Sequence, residues 1–470
     1  MDYQPQEQPE PAPRDPLAVA IGNASLLGVG YLLSRRRGLA AATGVVTVLL
    51  LVLLATVART VWFEAVVLVW WLGMTWHGWF LAGGRARWNL VRRQRSIALA
   101  VTIPVLIAVG LLRFDAAQIE KTVTTARAKG DCGQALSALD RVWVGHRVVD
   151  APMTVRGETT AQACGRLREA YDHLTVGLSG DTVALTAGFA DLSSVLAEYP
   201  GHEKMVDTVL DGFLGRLPAP DACRTAAVTD WLRQRPAGHN ALDRAATAVP
   251  RVAPAALAGC GDALLAGQNW TDAQRRYQQL LDQYPGNELT GKAQDGVRRA
   301  GLALELADVT ALLGGSAESA PQYCAAPGHY SAAAPYGKGV NHALVYGNTD
   351  YTSRLPADWK ADGPGNAVLV LCTGDATYGT PTRTCGYNAD DSTGGATDVT
   401  FHKIAIPVRA FELRTGNVVA DTTVEIGGTS CPYFLSYTTF GDYDHGPGTD
   451  QYVDPSDDDI RAAFAPVIAR

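Results

Sequence analysis

The first 131 residues of this 470-residue chain contain no cysteine, and none of its eight cysteines stands in a close pair. A zinc ribbon or finger needs C-x2-C-type spacing. The shortest interval here, Cys372 to Cys385, is too long for that, which argues against a structural zinc site. No G-x-S-x-G elbow occurs, and "HEKMV" at His202 lacks the second histidine of H-E-x-x-H. Lysine is scarce, seven residues against 33 arginines. Residues 1–112 carry a net charge of +5 and residues 113–470 one of −12. The larger part is therefore acidic, with no basic stripe, which argues against a nucleic-acid partner. No basic stretch precedes the first apolar run, so the start does not read as a cleaved signal peptide.

What the chain does have is a block of apolar sequence. Residues 17–112 are almost continuously hydrophobic, behind an acidic, Pro-rich tail (residues 1–16) expected to be disordered. Four segments, Pro16–Leu33, Gly38–Ala58, Val61–Leu81 and Ser96–Leu112, approach the ~20 residues a helix needs to cross a bilayer. "GVVTVLLLVLLATVA" (Gly44–Ala58) is the clearest. The first, with Asn23, Ser25 and three glycines, is the weakest, so the count is four spans or three. Arginines cluster at Arg35–Arg37 and again at Arg85, Arg87, Arg92, Arg93 and Arg95. Placing both clusters in the cytoplasm sends the last span outward, and everything after about Arg113 becomes extracytoplasmic. Six of ten tryptophans lie in or beside the third segment, which reads as interfacial anchoring and helix packing. Glu64 and His77 are the ionisable residues within the spans; each lies near an end, where solvation at the interface competes with a proton or ion role.

All eight cysteines (Cys132, Cys164, Cys223, Cys260, Cys324, Cys372, Cys385 and Cys431) follow the last span. An even number confined to the side assigned as outside implies disulfides in an oxidising compartment. Spacing alone allows 105 pairings. The expected set is Cys132–Cys164, Cys223–Cys260, Cys372–Cys385 and Cys324–Cys431.

Residues 113–314 have helical spacing, punctuated at Gly130, Pro152, Pro200-Gly201, Pro218, Pro236 and Pro285-Gly286. In "ALAGCGDALLAGQNWTDAQRRYQQLLDQYPGN" (Ala256–Asn287) two helices are expected, Ala255–Ala266 and Thr271–Tyr284, with Thr271 as N-cap. Gly286 to Lys292 almost spells the phosphate-binding G-x-x-x-x-G-K-[ST]. A helical pattern precedes it where a strand is needed, and Ala293 replaces the magnesium-binding hydroxyl. No nucleotide is expected; Gly286 reads instead as a left-handed residue closing a helix. The unit resembles a tetratricopeptide repeat, with Gly261 at the small first-helix position, Ala273 and Tyr277 at the second-helix alanine and aromatic, and Pro285 at the terminating proline. Weaker echoes at Phe189–Glu203 and Gly130–Trp143 extend that resemblance to an α-solenoid, which implies a concave protein-binding surface.

Residues 315–470 turn to β texture: His342–Tyr346, Ala367–Thr373, Asp398–Leu413 and Val418–Ile426, the last two joined by a hairpin at Arg414–Asn417. The alternation shifts near His402-Lys403, predicting a bulge, and Pro407 predicts an edge position. "LVLCTG", "RTCGYN", "RTGNVV" and "SCPYF", in that order, resemble a cysteine-stapled extracytoplasmic domain of actinobacterial-type multi-pass membrane proteins. That resemblance implies architecture and no activity. Asp442, Asp444 and Asp450 are weak calcium candidates in a carboxylate-rich stretch without EF-hand spacing.

The fold class expected is therefore mixed: transmembrane helices, a TPR-like α-helical solenoid, then a small disulfide-stapled α+β domain. The functional expectation is a non-enzymatic envelope protein that binds protein or peptide, with no cofactor. The alternatives are a sensor for a wall fragment or ion and an envelope enzyme with no readable motif.

Overall fold

Helices begin and end where the sequence punctuates them. The computed structural model describes residues 15–83, 92–315, 320–388, 396–438 and 446–470. The chain separates into two units, Met1–Ala256 and Leu257–Arg470.

The first unit is helical. Its first expected span is not one helix but two short ones, α1 (Pro16–Ala24) and α2 (Val29–Leu33). Nine residues of α-helix extend only ~14 Å, short of the ~30 Å hydrocarbon core. The break falls where Leu26 and Gly28 take positive φ, 63° and 66°. The result is a hairpin whose two ends lie at the same end of the bundle. Asp15 caps α1 and pairs with Arg95 at 2.5 Å, and Arg35–Arg37 follow α2. The hairpin tip reaches Trp71, whose indole donates to the Ala24 carbonyl at 2.9 Å. Trp71 is the midpoint of α4 (Val61–Leu81).

Among the described residues two helices are long and apolar enough to cross a membrane, α3 (Arg37–Thr56) and α5 (Arg92–Lys129). Val45, Val48, Leu49 and Val52 of α3, and Ile103, Leu106, Ile107 and Leu111 of α5, are exposed. A soluble core helix would bury such residues; exposed along two helices, they are what a bilayer covers. The tryptophan-rich α4 is not one of the two, although Val61, Trp62, Leu68, Val69 and Phe80 are equally exposed.

The span expected to stop at Leu112 continues unbroken to Lys129 as 38 residues of α5, ~57 Å long. Beyond the apolar stretch, its Ala116, Ile119 and Val123 pack with Ala138 and Met153, from α6 (Cys132–Leu139) and α8 (Ala151–Gly177). The short α7 (Val144–Val149) intervenes, and α9 (Thr182–Glu198), α10 (Glu203–Leu214) and α11 (Ala222–Gln234) follow. Aspartates cap this series: Asp131, Asp150, Asp181 and Asp221 each accept backbone N–H groups at a helix start, satisfying donors the helix leaves unpaired. Pro152 sits in the first turn of α8, and Gly130 and Gly201 follow helix ends with φ of 76° and 85°.

Helix α12 (Val249–Ala266) contains the division between the units. In the second unit, α13 (Trp270–Gln283) begins one residue earlier than expected, because the side chain of Asn269, not Thr271, accepts from the Asp272 N–H. Gly286 follows α13 with φ of 81°, the left-handed conformation expected of it.

After α14 (Thr290–Leu312) comes one six-stranded sheet. Its path is β1 (Ala343–Tyr346), β2 (Leu369–Thr373), β4 (Ala396–Glu412), β3 (Thr377–Asn388), with β5 (Val418–Ile426) and β6 (Asp450–Tyr452) also on β4. β1–β2 and β4–β6 are parallel, the other pairs antiparallel. The short α15 (Thr349–Thr352) follows β1, and α16 (Asp457–Ile468) ends the chain. Alternation in β2 separates two cores. Leu369 and Leu371 pack with Phe464 and Ile468 of α16, whereas Val370 packs with Val309 of α14 and Leu313 just beyond it. The sheet is thus covered on both faces, by α16 and by α14.

Two sequence expectations are corrected here. Pro407 lies in the central strand and not at an edge. Its carbonyl accepts from Gly374, in the gap between the end of β2 at Val408 and the start of β3 at Ala405. The missing N–H faces the same gap, so no ladder bond is lost. The bulge expected at His402-Lys403 lies across from His402, in β3 around Pro381.

Disulfides join Cys132 to Cys164, Cys324 to Cys372 and Cys385 to Cys431, with Cα–Cα distances of 5.6, 5.9 and 5.9 Å. Cys223 and Cys260 are also disulfide-bonded. The expected Cys372–Cys385 and Cys324–Cys431 pairs are wrong, for reasons of register. Cys372 pairs across from Arg409 and Cys385 across from Val399. Ten residues of β4 separate those points, ~33 Å, and a disulfide tolerates less than ~7 Å between Cα atoms. Cys372 packs with the α14 core and Cys431 with the α16 core, on opposite faces of the sheet. Non-reducing peptide mapping is expected to return Cys324–Cys372 and Cys385–Cys431; a Cys372–Cys385 peptide would overturn this register.

Candidate functional site

The carboxylate-rich stretch near the C-terminus does not assemble a metal site among the described residues. Asp442 and Asp444 lie outside those residues. Asp450 is spent within the protein: Oδ1 faces His402 Nε2 at 2.7 Å and Oδ2 accepts from the Thr449 hydroxyl at 2.8 Å. Asp459 forms a capping box with Ser456, and Asp457 pairs with Arg354.

His402 is the centre of a small polar cluster. Its Nδ1 faces the Gly379 carbonyl at 3.1 Å, and the Tyr378 ring lies 5.1 Å away. With acceptors at both nitrogens, the imidazole gains by carrying two protons. The Gly379 carbonyl first, and Asp450 second, hold its pKa above the usual 6.5.

His202, in the first unit, is the opposite case. It is buried, Nδ1 donates to the Tyr199 carbonyl at 3.0 Å, and Nε2 faces the Thr160 hydroxyl at 3.1 Å. Burial desolvates the charged form and lowers its pKa below 6.5. Linkage then gives opposite signs. His402 stabilises its unit below pH ~6.5, and the benefit is lost as pH rises through its raised pKa. His202 stabilises its unit above pH ~6.5, and the benefit is lost as pH falls towards its lowered pKa. Hydrogen exchange corrected for intrinsic rates is expected to show, from pH 7.5 to 5.5, less protection around His202 and more around His402. Both regions moving the same way would refute the assignment.

The near-phosphate loop is accounted for by packing. The Tyr277 ring lies between Gly261 of α12 and Gly296 of α14, where an added Cβ would stand 2.7 and 2.5 Å from ring atoms. The Tyr277 hydroxyl donates to Asp262 at 2.6 Å, and Lys292 pairs with the other oxygen of Asp262 at 2.5 Å. Burial alone would raise the pKa of Asp262, but the Lys292 and Tyr277 hydrogen bonds outweigh it and the net shift is downward. Lys292 therefore serves as a structural counter-ion.

The most site-like feature belongs to the helices around the membrane-length segments. A cavity of about 760 Å3 opens between α3, α4 and α5. Its walls are apolar, its floor is the α1–α2 tip at Ala24–Leu27, and Val148 and Val149 of α7 roof it. Glu64 and Arg113 stand at the roofed end, 3.5 Å apart, and Glu64 also accepts the Ala151 N–H at 3.2 Å. Glu64 is thus held by α5 and α8, not by nearby Arg59, whose Nη1 donates to both carboxylate oxygens of Glu158 of α8 at 2.7 and 2.8 Å. His77, towards the other end of α4, meets the Tyr31 hydroxyl at 2.8 Å. Charge spacing along the sequence gave no sign of the Glu64–Ala151 and Arg59–Glu158 contacts, which join residues 87 and 99 apart.

On the second unit, Tyr433 and Phe434 are 90% and 81% exposed. They follow Cys431, whose bridge to Cys385 and the Tyr387 hydroxyl bond to the Pro432 carbonyl tie this segment to β3. Comparison with protein-family models, curated proteins and solved structures finds no match.

Proposed function

We propose that this chain is a multi-pass membrane protein of a bacterial envelope that carries residues after about 113 on the extracytoplasmic side. There it presents a TPR-like helical region and the β-sheet unit for binding a protein or peptide, as a non-catalytic module. The observation that carries the reading is α5, one helix that takes a bilayer-length apolar stretch directly into a disulfide-bonded region. Two further features support it. Arg35–Arg37 and Arg92–Arg95 lie at one end of the spans, whereas Arg59 and Arg113 at the other end are paired with Glu158 and Glu64. Exposed aromatics held on a stapled segment, Tyr433 and Phe434, are the residue types that dominate binding energy at protein interfaces.

Labelling of intact cells with a membrane-impermeant maleimide tests the sidedness. The thiols are expected to be silent as isolated and labelled after an impermeant reductant; labelling only after permeabilisation would reverse the topology. Cross-linking of the full chain in its own envelope tests the binding. Tyr433→Ser with Phe434→Ser is expected to lower partner capture at least tenfold, and unchanged capture would remove this surface from the proposal.

A further inference from the structure

We infer that the cavity between α3, α4 and α5 holds one phospholipid, drawn from the membrane leaflet at the Arg113 end. The argument is one of depth. The floor of the cavity is the α1–α2 tip, fixed at the level of Trp71, the midpoint of α4. The roofed end lies at Glu64, seven residues nearer the start of α4, and Arg113 is eight residues beyond the lining Val105 on α5. Those intervals are ~10–12 Å of helix. Half of a hydrocarbon core is ~15 Å. The cavity therefore spans the acyl region of a single leaflet, closed at the midplane and bounded by charge where head groups begin.

Three features suit a lipid better than water or a soluble ligand. The walls are apolar, so a space of about 760 Å3 offers water few partners. Several polar groups at the tip already have partners within the protein. The Ser25 hydroxyl donates to the Gly22 carbonyl at 2.7 Å, the Leu26 N–H donates to the Asn23 carbonyl at 3.0 Å, and Trp71 takes the Ala24 carbonyl. Non-helical backbone at that depth is tolerated when it is buried or faces a cavity, and Ala24, Leu26 and Leu27 make the floor largely apolar. At the roofed end, Arg113 is more than half exposed and its contact with Glu64 is long, at 3.5 Å. Its planar guanidinium suits a phosphate oxygen pair, while Glu64 is kept in place by the Ala151 N–H. α7 closes this end through Val148 and Val149, and at the start of the same helix Trp143 and Val144 are exposed, the residue types of a membrane–water boundary.

The inference rests on the membrane-spanning part of the proposed function and not on partner binding. The test uses the full chain in membranes and then in mild detergent, read by native mass spectrometry and lipid extraction. If carbonate washing strips the chain from membranes, the spanning reading itself fails. If the chain stays, one phospholipid per chain is expected to survive purification. Leu51→Trp with Val105→Phe, which fills the cavity, is expected to lower that occupancy at least tenfold. Val52→Trp, on the exposed side of α3, is expected to leave it unchanged. Arg113→Gln is expected to lower retention of anionic phospholipid several-fold while thermal unfolding of the helical part stays within a few degrees. Lipid retained equally by native and cavity-filled chains, or no lipid retained by the native chain, overturns the inference.

Discussion

Removing the two bridges of the sheet unit is expected to abolish its cooperative unfolding transition. Cys324–Cys372 and Cys385–Cys431 close stretches of 48 and 46 residues. In the chain-entropy model each is worth about 4 kcal/mol. The two loops do not overlap in sequence, so their effects on the unfolded chain add to about 8 kcal/mol. A domain has only ~5–15 kcal/mol in total. The location of the bridges sharpens the effect. β3 is exposed along most of its length, so little apolar burial holds its far end, and Cys385 and Tyr387 are its ties to the 431–432 segment. The double substitution Cys385→Ser/Cys431→Ser is expected to free that region and lower the denaturant midpoint. Adding Cys324→Ser/Cys372→Ser is expected to leave a broad, non-cooperative transition. A midpoint unmoved by both pairs would mean that the cores under α14 and α16 suffice alone.

How much of this was legible in the sequence follows the range of the physics involved. Apolar runs and Pro-Gly punctuation act within a turn or two of helix, so α3, α4 and α8 to α14 are readable from composition. The strands are readable too where they are short apolar runs, as in β1 and β2, or β-branched stretches, as in β4 and β5. β3 and β6 are not: Thr377–Asn388 is polar, with a proline and two glycines, and its place is set by pairing with β4 across a bulge. Disulfide partners depend on that same register, so the choice of Cys372–Cys385 failed although both residues stand on strands flanking β4. The α1–α2 hairpin was visible only as weakness, in Asn23, Ser25 and three glycines, because its cause is long-range contact with α4 and α5. Glu64 drew notice as an ionisable residue in an apolar run, but its partners Arg113 and Ala151 and the cavity beside it emerge only when α3, α4, α5, α7 and α8 are brought together.

The second large effect is expected at Gly30. Asn23 is fully buried at the start of the α1–α2 turn, its amide donating to the Met74 carbonyl at 3.1 Å and its oxygen accepting from the Tyr31 N–H at 3.2 Å. Glycines make room for it. A Cβ on Gly30 would stand 2.0 Å from the Val19 carbonyl oxygen, and one on Gly78 would stand 2.3 Å from the Asn23 amide nitrogen. The Gly30 clash is with backbone, which has no alternative rotamer, so α1 and α2 must separate. Overpacking ordinarily costs about 1–3 kcal/mol, and a contact this close to main chain belongs at or above the top of that range. The Gly78 clash is with a side chain that turns away at the cost of its hydrogen bond. Asn23→Leu removes the bonds without the clash, and side-chain hydrogen bonds in membranes average ~0.6 kcal/mol. Unfolding in graded detergent is therefore expected to rank Gly30→Leu as most damaging, then Gly78→Leu, then Asn23→Leu. Were Asn23→Leu the worst of the three, hydrogen bonding in the apolar interior, and not close backbone packing, would be what holds the hairpin against α4.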